Sequence, residues 1–481
     1  MPSPTDPALE ARELELNGAA FRRLVELAVE RIVKHVESLP TQPAHSLDQP
    51  AALARSLAES VPQQGTPFDE ILDLLFDRAV PTSYNTAGPG YLAYIPGGGL
   101  LHAAVADLIG DAVNRYVGVW MAAPGLVQLE ANVIRWFCDV AGYPAGSSGF
   151  LTSGGSLANF SAVVTARRKL LPADFLHGTL YCSDQVHHSV AKAATLAGFP
   201  LKNVREIPSD GEFRVRPDAL AARIAADRDA GFRPFMVVGN AGTTNTGAVD
   251  DLAAVADLAA REQCWLHVDA AYGGFFLLTD RGRRVMQGIH RADSITLDPH
   301  KGMFLPYGTG CLLVREVASL HRAHALSADY LPAMQEDPDL VDFCQISPEL
   351  SRPPRGLRVW LPIKLHGIGV FRAALDEKLD LARWAARELR SIPDIAIVAE
   401  PQLSTVAFRL APSSVPEAEL NQLNRRLLEG INARRRVFLT GTTVGGRFVL
   451  RICVLSFRTH QGRMAQALED IRASVREARS A

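Results

Sequence analysis

The chain has 481 residues, of which 47% are hydrophobic and 21% are charged. This balance is ordinary for a globular protein and excludes a chain that is disordered throughout. The 50 Lys and Arg residues against 52 Asp and Glu residues leave a net charge of −2. The overall charge therefore disfavours nucleic acid and anionic membrane surfaces as partners.

Residues 1–80 predict an amino-terminal helical segment. Apolar residues recur at helical spacing in AFRRLVELAVERIVKHVESLP, which indicates an amphipathic helix. Such a helix usually packs against the body of a protein or against a partner subunit, and we expect this segment to take part in dimer packing. Residues 39–67, rich in Pro, Gln and Ser, predict a loop with a short helix, and a Gly/Pro cluster follows at 87–99.

A large domain is predicted over residues 81–363. From about residue 150, short apolar runs alternate with helical stretches. The runs are TLYCS (179–183), NVREIP (203–208), PFMVVGNAGTT (234–244), CWLHVDAA (264–271), DSITLD (293–298) and GCLLVR (310–315). Strand–helix alternation predicts a mainly parallel sheet with helices on both faces. Ligands of such sheets bind beyond the carboxyl ends of the strands, so the polar residues after each run are candidates for a site.

The last part of the chain, residues 364–481, predicts a small α/β domain. A long helical stretch at 364–391 is followed by four apolar runs and two further helices, a pattern that favours an antiparallel sheet. Pro362 and Gly367 mark the expected junction between the two domains.

The chain also carries signals about its location. No apolar run approaches the roughly 20 residues that span a bilayer. The polar, acidic start lacks the basic residues and the apolar stretch of a signal peptide. The six cysteines lie far apart and form no C-x-x-C pair, which argues against a disulfide framework and against a zinc knuckle. We expect a cytoplasmic protein.

Small residues open a helix in TSGGSLAN (152–159). They leave backbone N–H groups exposed at the helix start, which suits a phosphate. The segment is equally compatible with an ordinary capped turn. It matches neither the dinucleotide fingerprint nor the P-loop, so a nucleotide site is weakly indicated at most.

Two charged residues follow apolar strands. Asp269 closes the strand in HVDAAYGG, where a buried carboxylate needs a cationic or hydrogen-bonding partner. Lys301 follows the next strand in DPHKGM, an apolar setting in which lysine is rarely placed without a use. One such use is a Schiff base with an aldehyde. Taken singly, Asp269 could be a structural cap and Lys301 a surface residue. A cofactor with a phosphate, a pyridine nitrogen, a ring and an aldehyde needs a helix start, an aspartate, a stacking partner and a Schiff-base lysine. Pyridoxal phosphate (PLP) matches this set.

Five motifs, in their order and spacing, resemble the group II PLP-dependent amino-acid decarboxylases and in particular the aromatic-L-amino-acid decarboxylases. The motifs are TSGGSLAN, YCSDQVHHSVAKA, NAGTTNTGAVDDL, HVDAAYGG and DPHKGM. The resemblance runs from about residue 80 to 370. It implies the aspartate aminotransferase-like fold type I, pyridoxal 5'-phosphate as cofactor, and a homodimer with active sites at its interface.

The resemblance also implies roles for individual residues. Lys301 is the Schiff-base lysine, Asp269 is the partner of the pyridine nitrogen, and His187 is the histidine that stacks on the ring. Tyr330, in the loop LSADYLPA (326–333), donates a proton to the substrate. The other cofactor-binding positions are Gly155, Ser156, Thr244 and His300, and the substrate pocket contains Tyr94, Ile95 and Pro96.

Two positions have roles that the sequence leaves open. Asp298 stands where relatives often carry Asn, although a carboxylate repels a phosphate unless it points elsewhere. Ser351 falls in a stretch that in relatives approaches the phosphate across the dimer. No metal site is expected, because neither His187 and His188 nor His321 and His324 has a convergent third ligand at metal-site spacing.

The predicted reaction is α-decarboxylation of an L-amino acid to an amine and CO2. An aromatic substrate is favoured because Tyr94, Ile95 and the triple Gly that follows allow a roomy, apolar pocket without a basic residue. Three alternatives stay open: a non-aromatic substrate, oxygen-dependent decarboxylation–deamination to an aldehyde, and a catalytically silent PLP-binding protein. In relatives with the oxygen chemistry the loop tyrosine is typically Phe, so Tyr330 argues for simple decarboxylation.

Overall fold

A computed structural model describes residues 14–326, 334, 337 and 339–480 of the chain. Its strands are β1 (Ser148–Thr152), β2 (Gly178–Ser183), β3 (Val204–Ile207), β4 (Arg233–Asn240), β5 (Trp265–Asp269), β6 (Ser294–Leu297), β7 (Gly310–Val314), β8 (Ile395–Ala399), β9 (Thr405–Leu410), β10 (Thr440–Val444) and β11 (Arg447–Cys453).

The helices cover much of the remaining chain. They are α1 (Gly18–Ser38), α2 (Pro50–Ser56), α3 (Phe68–Asp73), α4 (Leu101–Val113), α5 (Pro124–Ala141), α6 (Gly155–Leu170), α7 (Ser189–Leu196), α8 (Pro217–Asp229), α9 (Leu252–Arg261), α10 (Asp280–Val285), α11 (Pro299–Gly302), α12 (Val317–His324), α13 (Phe343–Ile346), α14 (Arg355–His366), α15 (Ile368–Arg390), α16 (Glu417–Ala433) and α17 (Gln461–Ser480). No described helix is both long and apolar enough to cross a membrane.

The large sheet has seven strands in the order β1-β7-β6-β5-β4-β2-β3. The pairings of β2 with β3 and β4, of β4 with β5 and of β5 with β6 are parallel, and β7 alone runs antiparallel to its neighbours β1 and β6. The sheet is therefore mainly parallel, as predicted. The carboxyl ends of β6, β5, β4 and β2 lie side by side at one edge.

Helices cover both faces of this sheet. Successive residues of a strand point to opposite faces, so neighbouring residues belong to different cores. Val237 belongs to one apolar core, which includes α5, α8 and α9. Its neighbours Met236 and Val238 belong to a second core, which includes α6, α7 and α12. Burial on both faces explains why these strands are continuous apolar runs rather than alternating ones.

Helix α6 lies close to the strands of the large sheet. It packs against β4, β5, β6 and β7, and its buried residues are mostly small, including Ala158, Ala162 and Ala166. Small side chains let the helix approach the sheet closely. The one large polar residue on the buried face, Asn159, is brought to the strand ends by this packing.

A second sheet of four antiparallel strands, in the order β10-β11-β9-β8, forms the carboxyl-terminal part, as the sequence predicted. Its core includes residues of α15, α16 and α17.

The helical stretch predicted at 364–391 is two helices. Helix α14 begins at Arg355, contains Pro362, and ends before Gly367, whose φ of 69° lies in the left-handed region that interrupts a helix. Gly367 thus separates α14 from α15. The predicted domain boundaries, at 80/81 and 363/364, stay predictions.

Candidate active site

A cavity of about 290 Å³ opens at the carboxyl ends of the large sheet. Its lining comes from the start of α6, the turn after β2, the loop after β4, the end of β5, and α11. All seven predicted cofactor-binding positions contribute to it, namely Gly155, Ser156, His187, Thr244, Asp269, His300 and Lys301. Parallel strands bring these distant segments together because their carboxyl ends share one edge.

The other predicted positions lie elsewhere. Ile95 and Pro96 are buried and Tyr94 is half exposed, with φ of 49°, in a segment next to the cavity lining. A Cβ at the neighbouring Gly97 would stand 2.9 Å from the carbonyl oxygen of His300, so a larger residue there would require this backbone to move. Tyr330 lies outside the described residues.

Lys301 is held by an ion pair. Its Nζ lies 2.8 Å from Oδ2 of Asp298, the residue that precedes α11. Burial lowers the pKa of Lys301, but attraction to Asp298 outweighs burial and leaves that pKa above its ordinary value. The lysine is therefore an ammonium in this arrangement. Asp298, whose role the sequence left open, contacts this amine.

The second oxygen of Asp298 faces the start of α6. Oδ1 is buried and has no hydrogen-bond partner within the described ranges, and a Cβ on Gly155 would stand 3.3 Å from it. A buried polar atom without a partner is costly in packed core, so this corner fits a site for a bound group.

His300 is fixed by the turn that follows α11. Its Nδ1 lies 2.7 Å from the carbonyl oxygen of Thr309, which can only accept, so Nδ1 carries the proton. Nε2 lies 3.6 Å from Oδ2 of Asp298. Burial lowers the pKa of His300, which favours the neutral ring at neutral pH.

His187 is fixed by the residues just after it. Its Nδ1 lies 2.8 Å from Oγ of Ser189 and also accepts the backbone N–H of Ser189 at 3.3 Å. A nitrogen that accepts from a backbone N–H is unprotonated, so the ring proton is on Nε2. Burial lowers the pKa of His187, against a smaller opposing effect of Asp269, and favours a neutral ring.

Asp269 is buried at the end of β5, and both of its oxygens have donors. Oδ1 accepts the backbone N–H of Ala271 at 3.1 Å, and Oδ2 accepts Nδ2 of Asn159 at 2.9 Å. Hydrogen bonds to both oxygens fix the orientation of the carboxylate. The carboxylate is therefore held in place at the edge of the cavity, where it can face a ring nitrogen.

Two residues of this region were not singled out from the sequence. Asn159 is the last residue of TSGGSLAN. The sequence could have indicated it, because it is a large polar residue on a helix face that otherwise carries small residues. Arg451, on β11 of the small sheet, donates to the carbonyl oxygens of Tyr94 and Thr244. No local sequence signal connects an arginine of the small sheet with those two segments.

The arrangement fits pyridoxal phosphate. An amine, a buried carboxylate and an imidazole share one cavity with the start of α6, where the N–H groups of Gly155 and Ser156 precede the first intrahelical hydrogen bonds. These are the groups that an aldehyde, a pyridine nitrogen, a ring face and a phosphate require. Among the described residues, no three His, Cys, Asp or Glu side chains gather in a way that could hold a metal ion.

Residues 50–411, about three quarters of the chain, match the model of the pyridoxal-dependent decarboxylase conserved domain. The chain belongs to the pyridoxal-dependent decarboxylase family. PLP is its cofactor, and it is an amino-acid decarboxylase rather than the silent PLP-binding protein that the sequence left open.

Individual relatives cover nearly the whole decarboxylase. An aromatic-L-amino-acid decarboxylase of Bacillus atrophaeus is 34% identical over 469 residues, which span 97% of this chain and 98% of the relative. A phenylacetaldehyde synthase of Arabidopsis thaliana is 27% identical over 94% of this chain and 95% of the relative. The crystal structure of Oryza sativa TDC with PLP and tryptamine is 28% identical, covers 96% of this chain and 99% of that chain, and has a TM-score of 0.92. These comparisons confirm the predicted family and fold class.

Proposed function

We propose that this decarboxylase removes the α-carboxylate of an aromatic L-amino acid and releases the corresponding amine and CO2. The convergence of all seven predicted cofactor-binding positions in one cavity carries the proposal for the chemistry. Similarity over 97% of the chain to an aromatic-L-amino-acid decarboxylase supports the substrate class.

In the proposed mechanism, bound PLP would supply the electron sink for the pair left on Cα when CO2 departs. Lys301 would hold the cofactor through its Nζ, and Asp298, 2.8 Å from that nitrogen, orients the amine and can take up the proton that the amine gives up. Asp269 would hold a proton on the ring nitrogen, because an adjacent negative charge stabilises the protonated form.

The remaining residues hold and protect the reacting groups. The first turn of α6, with Gly155 and Ser156, binds the phosphate through backbone N–H groups. His187, in its neutral form, would stack on the cofactor ring. Tyr330 would supply the proton to Cα, and its loop would exclude water and oxygen.

Substrate selection is proposed to depend on the segment that contains Tyr94, Ile95 and Pro96. Its side chains are apolar or aromatic, and Tyr94 is half exposed next to the cavity. The backbone carbonyl of Tyr94 is fixed by Arg451 at 3.1 Å, which keeps the pocket wall in place. An apolar wall with few polar groups suits an aromatic side chain.

A substrate screen tests this function. The purified holoenzyme is offered each of the common L-amino acids, and CO2 release is measured. We expect the largest kcat/KM values for Trp, Tyr and Phe. A higher value for an acidic or aliphatic amino acid would overturn the assignment of the substrate class, and no CO2 release from any amino acid would overturn the assigned reaction.

Oxygen-dependent decarboxylation–deamination is the second candidate, since one relative is a phenylacetaldehyde synthase. That reaction converts amino acid, O2 and water into aldehyde, CO2, ammonia and hydrogen peroxide. Tyr330 in the loop favours protonation of Cα and hence the amine. Measuring amine and peroxide together under air distinguishes the two reactions.

We also propose a homodimer. Four apolar side chains lie exposed along one face of α4, at the helical spacing i, i+4, i+7 and i+8: Leu101, Val105, Leu108 and Ile109. Within the described ranges, no side chain of the amphipathic α1 is fully buried. Apolar faces of this extent are usually covered by another surface. Analytical ultracentrifugation should give twice the 52.1 kDa chain mass, and a fully active monomer would contradict the proposal.

A cytoplasmic location is proposed from the cysteines. All six are free thiols, and five of them are buried. Unpaired thiols are typical of a reducing compartment. Cell fractionation tests this location.

A further inference from the structure

A continuous chain of side-chain hydrogen bonds ends at the carboxylate of Asp269. Nε1 of Trp265 donates to Oγ of Ser294 at 2.7 Å, and that oxygen lies 2.8 Å from Nδ1 of His267. Nε2 of His267 lies 3.1 Å from Oδ1 of Asn159, whose Nδ2 donates to Oδ2 of Asp269 at 2.9 Å. All five side chains are buried.

The direction of every bond in this chain follows from the groups themselves. An indole N–H only donates and an ionised carboxylate only accepts, so the amide of Asn159 must turn its NH2 to Asp269 and its oxygen to His267. His267 must therefore donate from Nε2. Burial lowers the pKa of His267 to about 4, so the ring is neutral, and its Nδ1 accepts the proton of Ser294. Each member donates toward Asp269.

Asn159 is also linked to His187, the residue that we predict to stack on the cofactor ring. The other N–H of its amide donates to Oγ of Ser189 at 2.9 Å, and the hydroxyl of Ser189 points to Nδ1 of His187 at 2.8 Å. The amide oxygen accepts a second bond from Oγ1 of Thr296 at 2.7 Å. All four hydrogen-bonding positions of the Asn159 amide are thus occupied, which fixes its orientation.

We propose that Asn159 is a positioning residue that couples Asp269 to His187: one amide N–H aims the carboxylate, and the other fixes the histidine through Ser189. The proposal rests on the proposed roles of Asp269 and His187. Asn159 acts through these residues and through a chain of aligned donors, rather than on the substrate. Its consequence is a bound cofactor whose ring nitrogen stays protonated.

The side chain at this position must supply two donors. Leu has a similar size but leaves Oδ2 of Asp269 without its side-chain donor, in a buried place where that loss is expensive. Asp keeps the shape but places a second carboxylate next to Asp269, and two such groups cannot both stay ionised at that distance. Both changes weaken the negative charge that holds the proton on the ring nitrogen.

The test uses the holoenzyme loaded with PLP labelled with 15N in the ring. The ring nitrogen has clearly different chemical shifts as pyridinium and as neutral pyridine, so NMR at one fixed pH reports its protonation directly. We expect pyridinium in the unmodified enzyme and a shift toward neutral pyridine in Asn159→Leu and Asn159→Asp. The kcat of both variants should fall by about ten- to a hundredfold, as expected from the loss of a hydrogen bond to a charged group.

Ser161→Ala is the matched control. Ser161 is buried on the same helix, two residues further on, and its Oγ has no hydrogen-bond partner in the described part of the chain. This variant should keep the pyridinium signal. Ser189→Ala removes only the side-chain branch to His187, so it should keep the signal as well. In enzyme prepared with 15N-labelled histidine, it should change the 15N shifts of the His187 ring.

Two further comparisons make each outcome decisive. Asp269→Asn must itself move the signal toward neutral pyridine. If it does not, the proposed role of Asp269 is wrong. If Asp269→Asn moves the signal and a folded Asn159 variant does not, Asn159 has no positioning role and the proposed function stands. Circular dichroism identifies variants that fail to fold. The milder Thr296→Val, which removes one donor to the Asn159 amide, should then show a smaller shift in the same direction, and no shift would overturn the proposal.

Discussion

Replacement of Arg451 by Met tests how the small sheet supports the active site. The Arg451 side chain is buried, and all of its observed partners are neutral oxygens. Nε donates to the carbonyl of Asn245 at 3.0 Å, Nη1 to Oγ1 of Thr440 at 3.0 Å, and Nη2 to the carbonyls of Tyr94, at 3.1 Å, and of Thr244. One guanidinium therefore ties the predicted substrate pocket to the predicted cofactor loop.

The expected loss of stability follows from these bonds. Met has a similar length and is apolar, but it leaves three backbone carbonyl oxygens without their donor. Each oxygen left unsatisfied costs about 1 to 3 kcal/mol, and water can restore part of that where the segment is partly exposed. We therefore expect the free energy of unfolding to fall by about 2 to 5 kcal/mol, a loss typical of a broken buried network.

The effect on catalysis should be selective. Released from Arg451, the Tyr94 carbonyl no longer fixes the pocket wall, so KM for the amino acid should rise by more than kcat falls. Urea unfolding followed by circular dichroism measures the stability. Steady-state kinetics well below the melting temperature measures the separate changes in KM and kcat. Arg451→Lys keeps the charge without the planar guanidinium. Its stability and its KM should lie between those of the unmodified enzyme and those of Arg451→Met.

Arg447→Met is the control for this prediction. It lies four residues earlier on the same strand and is exposed, with Nε 3.5 Å from Oε1 of Glu417. An exposed pair of this kind contributes little, so the control should stay within about 1 kcal/mol of the unmodified enzyme. Equal stability and equal KM for the Met variants at 451 and 447 would refute the reasoning.

Three further predictions concern the proposed reacting groups. Lys301→Ala should abolish turnover, and borohydride reduction followed by mass spectrometry should place the pyridoxyl group on Lys301 of the unmodified enzyme; a label on another lysine would contradict the site. Asp269→Asn should lower kcat by about a hundredfold or more with little change in melting temperature, because the charge opposite the ring nitrogen is lost; near-normal turnover would rule out its role as ring partner. Tyr330→Phe removes the proton donor and keeps the ring, so CO2 release should continue while the product shifts from amine to aldehyde, ammonia and peroxide. Assays under air and under argon measure that shift, and an unchanged amine yield in air would leave Tyr330 without a role as proton donor.

The sequence by itself determined the local elements and their order. Apolar runs with helical stretches between them predicted β2 to β7 to within a few residues, because burial on both faces of a parallel sheet demands continuous apolar strands. The rule that ligands bind at the carboxyl ends of such strands directed attention to Asp269 and Lys301. These residues do line one cavity. The spacing of the five motifs identified the family, which the comparisons confirm.

Only the tertiary structure decided how those residues are supported. Asn159 is 110 positions from Asp269, and Arg451 is 357 positions from Tyr94, yet each pair is joined by a hydrogen bond. Such contacts depend on how α6 and the small sheet pack against the large sheet, which no local pattern encodes. The ion pair of Lys301 with Asp298 shows that sequence patterns are limited at short range as well. Their spacing of three residues allows the contact, but the helical conformation of α11 brings the two side chains together. Periodicity reports which face of an element is buried, whereas the partner on the other side of that face is set by the whole fold.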